Sequence, residues 1–318
     1  MISVIIPLYN KSATIEKTLD SVFNQTSQDF EVIVVDDGSK DDSLEKVKKI
    51  KKDEKLKIIN QENKGASAAR NKGVSEAQFS YIAFLDADDN WEVNFIEEII
   101  KVIEQNNHCR VISTGGRIID SQKTTLRIEK SRKTGAVFNP EVFTNPYLYI
   151  HTSSIVIEKK AFLEAGMFPE HMKTNEDLAC FFRLILKHNI YFINSCLSNY
   201  SRIVDGQLSK QKISDLPVCF VQRINHVHEY YFENNLIDRK YIFFTTYEII
   251  NRYYNAIVIK DHETLNYLSN NLSDIVKNDI KIPIQRLMNN NFTIFTKYYF
   301  LVLKVRFFLV SKIQNLLK

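Results

Sequence analysis

"AFLDADD", residues 83–89, closes an apolar run that begins at Tyr81 and crowds Asp86, Asp88 and Asp89 into four positions. The run from Tyr81 to Leu85 reads as a buried strand. Two unit charges about 4 Å apart at an effective dielectric of about 20 repel by roughly 4 kcal/mol, a large share of a domain's whole stability. A helix cap or a loop turn each favours one Asp. A bound cation accounts for all three together.

Outward from this stretch, strand and helix signals alternate. "ISVIIPLYN" is a β-branched run stopped by Pro7, and "SATIEKTLDSVFNQ" places Ile15, Leu19, Val22 and Phe23 on one helical face. "FEVIVVDDGS" repeats the strand signal and ends in Asp36 and Asp37, before a charged amphipathic helix over 41–52. "KLKIIN" predicts a third strand, "QENKGASAARNKGVSEA" a turn at Gly65 and a small-residue helix, and "NFIEEIIKVIEQN" a helix after the acidic turn. Strands that are apolar nearly throughout and alternate with helices predict an α/β fold, a mainly parallel sheet with helices on both faces. Ligands bind such sheets at the carboxyl ends of the strands. Pro7 and Tyr9, Asp36 and Asp37, and Asp86 to Asp89 all fall there, so the acids are expected to share a cleft. A divalent cation with bound phosphates would relieve their repulsion.

Composition narrows the class. The 318 residues suffice for one large domain or a domain with an extension, and 44% hydrophobic with 25% charged residues reads as globular. The 42 basic and 38 acidic residues leave a net charge of only +4, which gives no reason to expect nucleic acid as a partner. Cys109, Cys180, Cys196 and Cys219 lack zinc or redox spacing and are expected as buried free thiols. Met1 leads straight into a strand with no signal-peptide pattern, so a cytoplasmic location is expected.

The motifs "SVIIPLYN", "VIVVDDGS", "NKGASAARN", "FLDADD" and "NEDLACFFRL" occur in the order and approximate spacing of family 2 glycosyltransferases, and residues 1–205 resemble that family. The resemblance implies a GT-A nucleotide-diphospho-sugar transferase fold and inverting transfer of a sugar from a nucleotide donor. It places Pro7, Tyr9, Asp37, Gly65, Arg70, Asp86 and Asp88 at the donor. Tyr9 would stack on the base or pack on the first helix. The family's pyrimidine contact falls on Asp37, whose carboxylate can accept the N3 proton of uracil and so favours UDP or dTDP; an Asx-turn is its other reading. Gly65 permits close backbone approach, and Arg70 offers a fork for phosphate or carboxylate, or is a solvated helix residue.

Within "DADD" the resemblance makes Asp88 the direct ligand of Mg²⁺ or Mn²⁺, with Asp86 toward the ribose or a metal-bound water and Asp89 as the spare. Asp177, after Glu176 at a helix start, takes the position of the catalytic base; a helix-start acid is otherwise a dipole partner. Relatives often carry a His near "NYSRIVDGQLS", where Val204 stands here. His151 either substitutes for it or is a satisfied core histidine, the simpler reading.

Residues 206–318 leave the pattern and are expected as a helical extension. "FTKYYFLVLKVRFFLVSKIQNLLK" carries Lys297, Lys304, Arg306, Lys312 and Lys318 with no acid, and charges interrupt it well before the roughly 20 residues of a span. An inner-leaflet membrane contact through an interfacial helix and packing in a homodimer are both open. The setting implied is bacterial surface-polysaccharide synthesis, with a glycan or lipid-linked glycan as acceptor. A non-catalytic nucleotide-sugar-binding scaffold is the alternative function. A pyrophosphorylase is excluded because "PLYNKSATIE" has no Gly-rich phosphate loop, and a receiver domain would leave Asp177 and the chain length unexplained.

Overall fold

β1 (Ile2–Leu8) is buried along almost its whole length and pairs in parallel with β2 (Phe30–Asp36) on one side and β4 (Tyr81–Phe84) on the other. The computed structural model describes residues 1–50, 54–106, 108–128, 134–137, 150–202, 216–236 and 239–279. β3 (Leu56–Asn60) lies in parallel outside β2. The connections are α1 (Ile15–Phe23), α2 (Ser43–Ile50) and α3 (Ala66–Glu76).

After the acidic turn come β5 (Asn90–Trp91), α4 (Phe95–Gln105), β6 (Val111–Ile119), β7 (Thr124–Arg127), β8 (Gly135–Val137), β9 (Ile155–Glu158), α5 (Lys159–Glu164), α6 (Glu176–Lys187) and β10 (Ile190–Ser201). Among the described residues these strands form one sheet, in the order β3-β2-β1-β4-β9-β6-β10-β5, with β7 on β6 and β8 on β10. The two longest ladders, β1–β2 and β6–β10, are parallel as expected. The sheet is nevertheless mixed: β9 runs antiparallel to both β4 and β6.

Side-chain alternation along β1 explains why helices cover both faces. Ile2, Val4, Ile6 and Leu8 join one cluster with Ile15, Leu19 and Val22 of α1, Val47 of α2 and Phe95, Ile96 and Ile99 of α4. Ile5 points the other way, against Gly73 of α3, where an added Cβ would collide with Ile5 Cγ2.

The chain divides into two compact units, Met1–Phe138 with Tyr147–Lys210, and Asn139–Pro146 with Gln211–Lys318. In the second, α7 (Leu216–Glu233), α8 (Arg239–Val258), α9 (His262–Asn271) and α10 (Asp274–Asp279) enclose Phe220, Val221, Ile224, Ile249, Tyr253, Leu268, Leu272 and Val276. Arg223, buried, donates to both carboxylate oxygens of Glu248 at 3.0 Å. No helix among the described residues is long and apolar enough to cross a membrane. The expected boundary at residues 205 and 206, Val204 and the basic segment 295–318 lie outside the described residues. The four cysteines are free thiols, Cys180 and Cys219 buried and Cys109 and Cys196 partly so.

Candidate active site

Register places the acids. Leu8 pairs with Asp36 and Asp36 with Asn60, while the Leu85 amide donates to the Ile5 carbonyl, so the carboxyl ends of β1, β2, β3 and β4 meet at one rim. Pro7 sits inside β1 opposite Val35. Tyr9, the next residue but one, is 40% exposed, an unusual state for an aromatic beside a buried strand.

Asp37 is only 3% exposed. Its Oδ1 accepts from Gln61 Nε2 and the Lys64 amide, and its Oδ2 from the Gly65 amide, all at 2.8 Å. The carboxylate thus clamps the loop leading into α3, where Gly65 takes φ +93°, a conformation glycine adopts without a Cβ penalty. Asp36 supplies the Asx-turn, both oxygens accepting from the Ser39 amide at 3.3 Å. Oδ2 of Asp37 retains acceptor capacity for a ligand N–H.

Thr14, the residue before α1, and Thr18 within it hold the acidic turn: Thr14 Oγ1 donates to the Ala87 carbonyl, and Thr18 Oγ1 lies within hydrogen-bond reach of the Ala87 and Asp89 carbonyls. The three carboxylates then have three separate environments. Asp86 pairs with Arg70 (Oδ1 to Nη2, 2.7 Å), and Asp88 pairs with Lys11 (Oδ2 to Nζ, 2.7 Å). Burial works against ionisation of Asp86, but the Arg70 guanidinium and other neighbours overcome it and hold the carboxyl below its ordinary range.

Asp89, expected as the spare carboxylate, is instead the most enclosed of the three, 1% exposed. It accepts from Ser153 Oγ at 2.5 Å and from the Ser201 amide at 3.1 Å, and burial, with Asp86 nearby, pushes its pKa well up.

Arg70 is not a solvated helix residue. It is 5% exposed, bridges Asp86 to Glu176 (Nη1 to Oε1, 3.2 Å) and packs over the Phe168 ring. Burial opposes its charge, yet Asp86 and Glu176 outweigh that and keep it firmly protonated. It therefore ties the turn after β4 to the start of α6. Glu176 is itself buried, and burial followed by the adjacent Asp177 pushes its carboxyl up to about 7. Asp177 is less enclosed; its Oδ1 accepts from the Leu178 amide at 2.7 Å. Its charge acts on Arg70 and on His151, so it belongs to the same electrostatic cluster.

His151 caps the short turn Thr152–Ser154, its Nδ1 accepting from the Ser153 amide at 3.2 Å. The ring packs on Tyr200 with centroids 4.4 Å apart, and Nδ1 lies 3.8 Å from Asp89 Oδ2. Burial lowers its pKa more than the surrounding acids raise it, so the imidazole is neutral near pH 7, the form that binds metal ions. Asp86, Asp89 and His151 bring one ligand atom each within 4.8 Å of one another. Two carboxylate oxygens suit Mg²⁺ or Mn²⁺, whereas the Nδ1 lone pair of His151 is already engaged by the Ser153 amide; Asp88, expected as the direct ligand, is not one of the three.

Sequence reasoning missed Lys11, Ser153 and the enclosure of Asp89. Lys11 lies three residues beyond the end of β1 and was readable as a cation at the rim. Ser153 had no signal of its own.

The profile of Glycosyl transferase family 2 matches residues 3–163. The putative teichuronic acid biosynthesis glycosyltransferase TuaG of Bacillus subtilis is 32% identical over 67% of this chain and 82% of its own length. A glycosyltransferase of Rickettsia bellii is 34% identical over 59% of this chain and 27% of its own. The chain matches about a third or less of the length of three such Rickettsia relatives. Among solved structures, S. aureus TarS 1–349 in complex with UDP-GlcNAc superimposes with a TM-score of 0.74 at 18% identity, covering 92% of this chain and 89% of that one. At that identity the likeness shows the fold, and it agrees with the GT-A α/β architecture expected from the motifs.

Proposed function

The chain belongs to glycosyl transferase family 2, and from that premise we propose that it transfers a sugar, with inversion, from a UDP-sugar to a hydroxyl of a glycan or lipid-linked glycan in bacterial surface-polysaccharide synthesis. The observation that carries this reading is the convergence of Asp37, the Asp86–Asp89 turn, Arg70, His151 and the Glu176–Asp177 helix start on one unit of the fold. TuaG and TarS support the setting and the donor class by analogy.

Tyr9 offers its exposed ring to the uracil face, and Asp37 Oδ2 accepts the N3 proton. Pro7 and Gly65 leave room for the nucleoside beside the backbone. Asp88 would be the residue that holds a Mg²⁺ or Mn²⁺ ion, with Asp86, Asp89 and His151 beside it. The ion supplies charge neutralisation of the departing diphosphate. Arg70 orients Asp86 and couples it to α6.

Asp177 is the general base. Its Oδ2 takes the acceptor hydroxyl proton as that oxygen bonds to C1, while the bond from C1 to the diphosphate oxygen breaks and its electron pair leaves with UDP. A single displacement from the opposite face inverts the anomeric centre. The basic segment 295–318 contacts the inner leaflet or a second copy of the chain, at the cytoplasmic face of the membrane.

The test is a screen of UDP-sugars for nucleotide release with Mn²⁺ present. Release with at least one donor, abolished by excess chelator and lowered at least a hundredfold by Asp88→Asn, is the expected result. UDP binding with no release from any donor, with or without a glycan acceptor, would establish the scaffold instead.

A further inference from the structure

Asp88 already has a cation. Lys11 Nζ sits 2.7 Å from its Oδ2, with the two side chains 17% and 9% exposed, so the pair is largely shielded from water. The contact is built, because the Lys11 amide donates to Ser43 Oγ at 2.8 Å and the adjoining Asn10 amide to Ser39 Oγ, anchoring the β1–α1 loop to the start of α2 and to the loop before it. On the other side, Thr14 holds the Ala87 carbonyl and so fixes the Asp88 backbone. Asp86 has Arg70, and Asp89 has Ser153 and the Ser201 amide. Each acid of the turn is therefore answered by a different group of the chain itself.

We infer that Lys11 is a tethered counter-ion that competes with the divalent ion for Asp88, so that the ion binds weakly until a nucleotide diphosphate arrives to draw the ammonium away. The inference rests on the proposed donor site and adds a positioning residue to it. A carboxylate oxygen held at hydrogen-bond distance by an ammonium cannot also accept a metal ion along the same direction. Placing a doubly charged ion beside an ammonium a few ångströms away is also repulsive by Coulomb's law. Diphosphate oxygens resolve both conflicts, since they offer Lys11 a new anionic partner and the metal further oxygen ligands. The lysine's flexible four-carbon stem and compact charge suit such an exchange, which a rigid guanidinium fork does not. Arg70, buried and bonded to two acids, stays where it is.

The experiment measures Mn²⁺ binding by paramagnetic resonance or calorimetry, with and without UDP, and needs no turnover. Lys11→Met should tighten Mn²⁺ binding in the absence of UDP about tenfold, the effect of removing one partly shielded ion pair. It should also shrink the ratio between Mn²⁺ affinities with and without UDP. Lys40→Met, removing an exposed lysine of the neighbouring loop, should change the nucleotide-free affinity by less than about twofold, separating local competition from loss of one positive charge. Unchanged or weakened Mn²⁺ binding in Lys11→Met, with the parent binding Mn²⁺ and UDP together, overturns the inference and leaves the donor site intact. A parent that binds neither overturns both.

Discussion

Asp177 uses one carboxylate oxygen on the Leu178 amide, so the catalytic role proposed for it can be separated from its structural one. Asp177→Asn preserves the shape and the helix-start acceptor. UDP affinity should therefore change by less than about twofold while transfer falls about 10²- to 10⁴-fold, the contribution of a positioned base; titration calorimetry and a steady-state assay measure the two. Loss of UDP binding together with activity would return Asp177 to a structural role. Its neighbour Glu176 yields a pH signature. Burial and then Asp177 raise the Glu176 carboxyl from 4.5 to about 7, so the folded chain holds a proton that the unfolded chain has released. Its stability contribution is full below about 4.5 and is lost as pH rises toward 7. In Glu176→Gln, urea midpoints at pH 5 and pH 8 should differ less than in the parent.

At the scale of elements, the strands and helices from residue 2 to 105, the two-residue β5 excepted, were legible because each writes its own periodicity into a short window. β1 reads as apolar with Pro7 near its end, and α4 repeats Phe95, Ile96, Ile99 and Ile103 at helical spacing. The site's internal pairings were not, since Lys11 meets Asp88 across 77 residues, Ser153 meets Asp89 across 64 and Arg70 meets Glu176 across 106. The Ser153 contact depends on β9 entering antiparallel between β4 and β6, which carries the turn at His151 to the acids; no local pattern encodes that insertion. Arg70, read as a fork for phosphate or carboxylate or as a solvated residue, holds two carboxylates of the chain itself, one of them 106 residues away. Two substitutions probe how elements fix the site. Gly73→Ala should cost about 1–3 kcal/mol in chemical denaturation, because the new methyl must push Ile5 aside in the central strand. Thr18→Val keeps the size of the side chain but removes the single hydroxyl proton within reach of the Ala87 and Asp89 carbonyls, the former still held by Thr14, and should cost about 1–3 kcal/mol. It should also weaken metal-dependent UDP binding, which a purely global loss of stability would leave unchanged in the folded fraction.

For the molecule as a whole, the basic apolar segment at the end of the chain makes a separate prediction. Removing residues 292–318 should release the protein from vesicles containing anionic lipid while UDP-sugar hydrolysis persists, as expected of an interfacial helix. Co-sedimentation decides this, and a deletion that changes the sedimentation coefficient to that of a monomer without altering vesicle binding assigns the segment to dimerisation. The acidic turn has a further consequence in time. The Asp86 amide donates to Ser153 Oγ, the Asp89 amide to the Asp86 carbonyl and the Ser201 amide to Asp89, while the Trp91 indole locks the Ser153 carbonyl. Loop amides ordinarily trade their protons with solvent early, because loops open at little cost. Here the Asp86 amide is bonded to Ser153 Oγ and the Asp89 amide to the Asp86 carbonyl, so their deuterium uptake should lag with that of the central strands. A rim that opens only when the sheet does would meet each incoming donor already in its working shape.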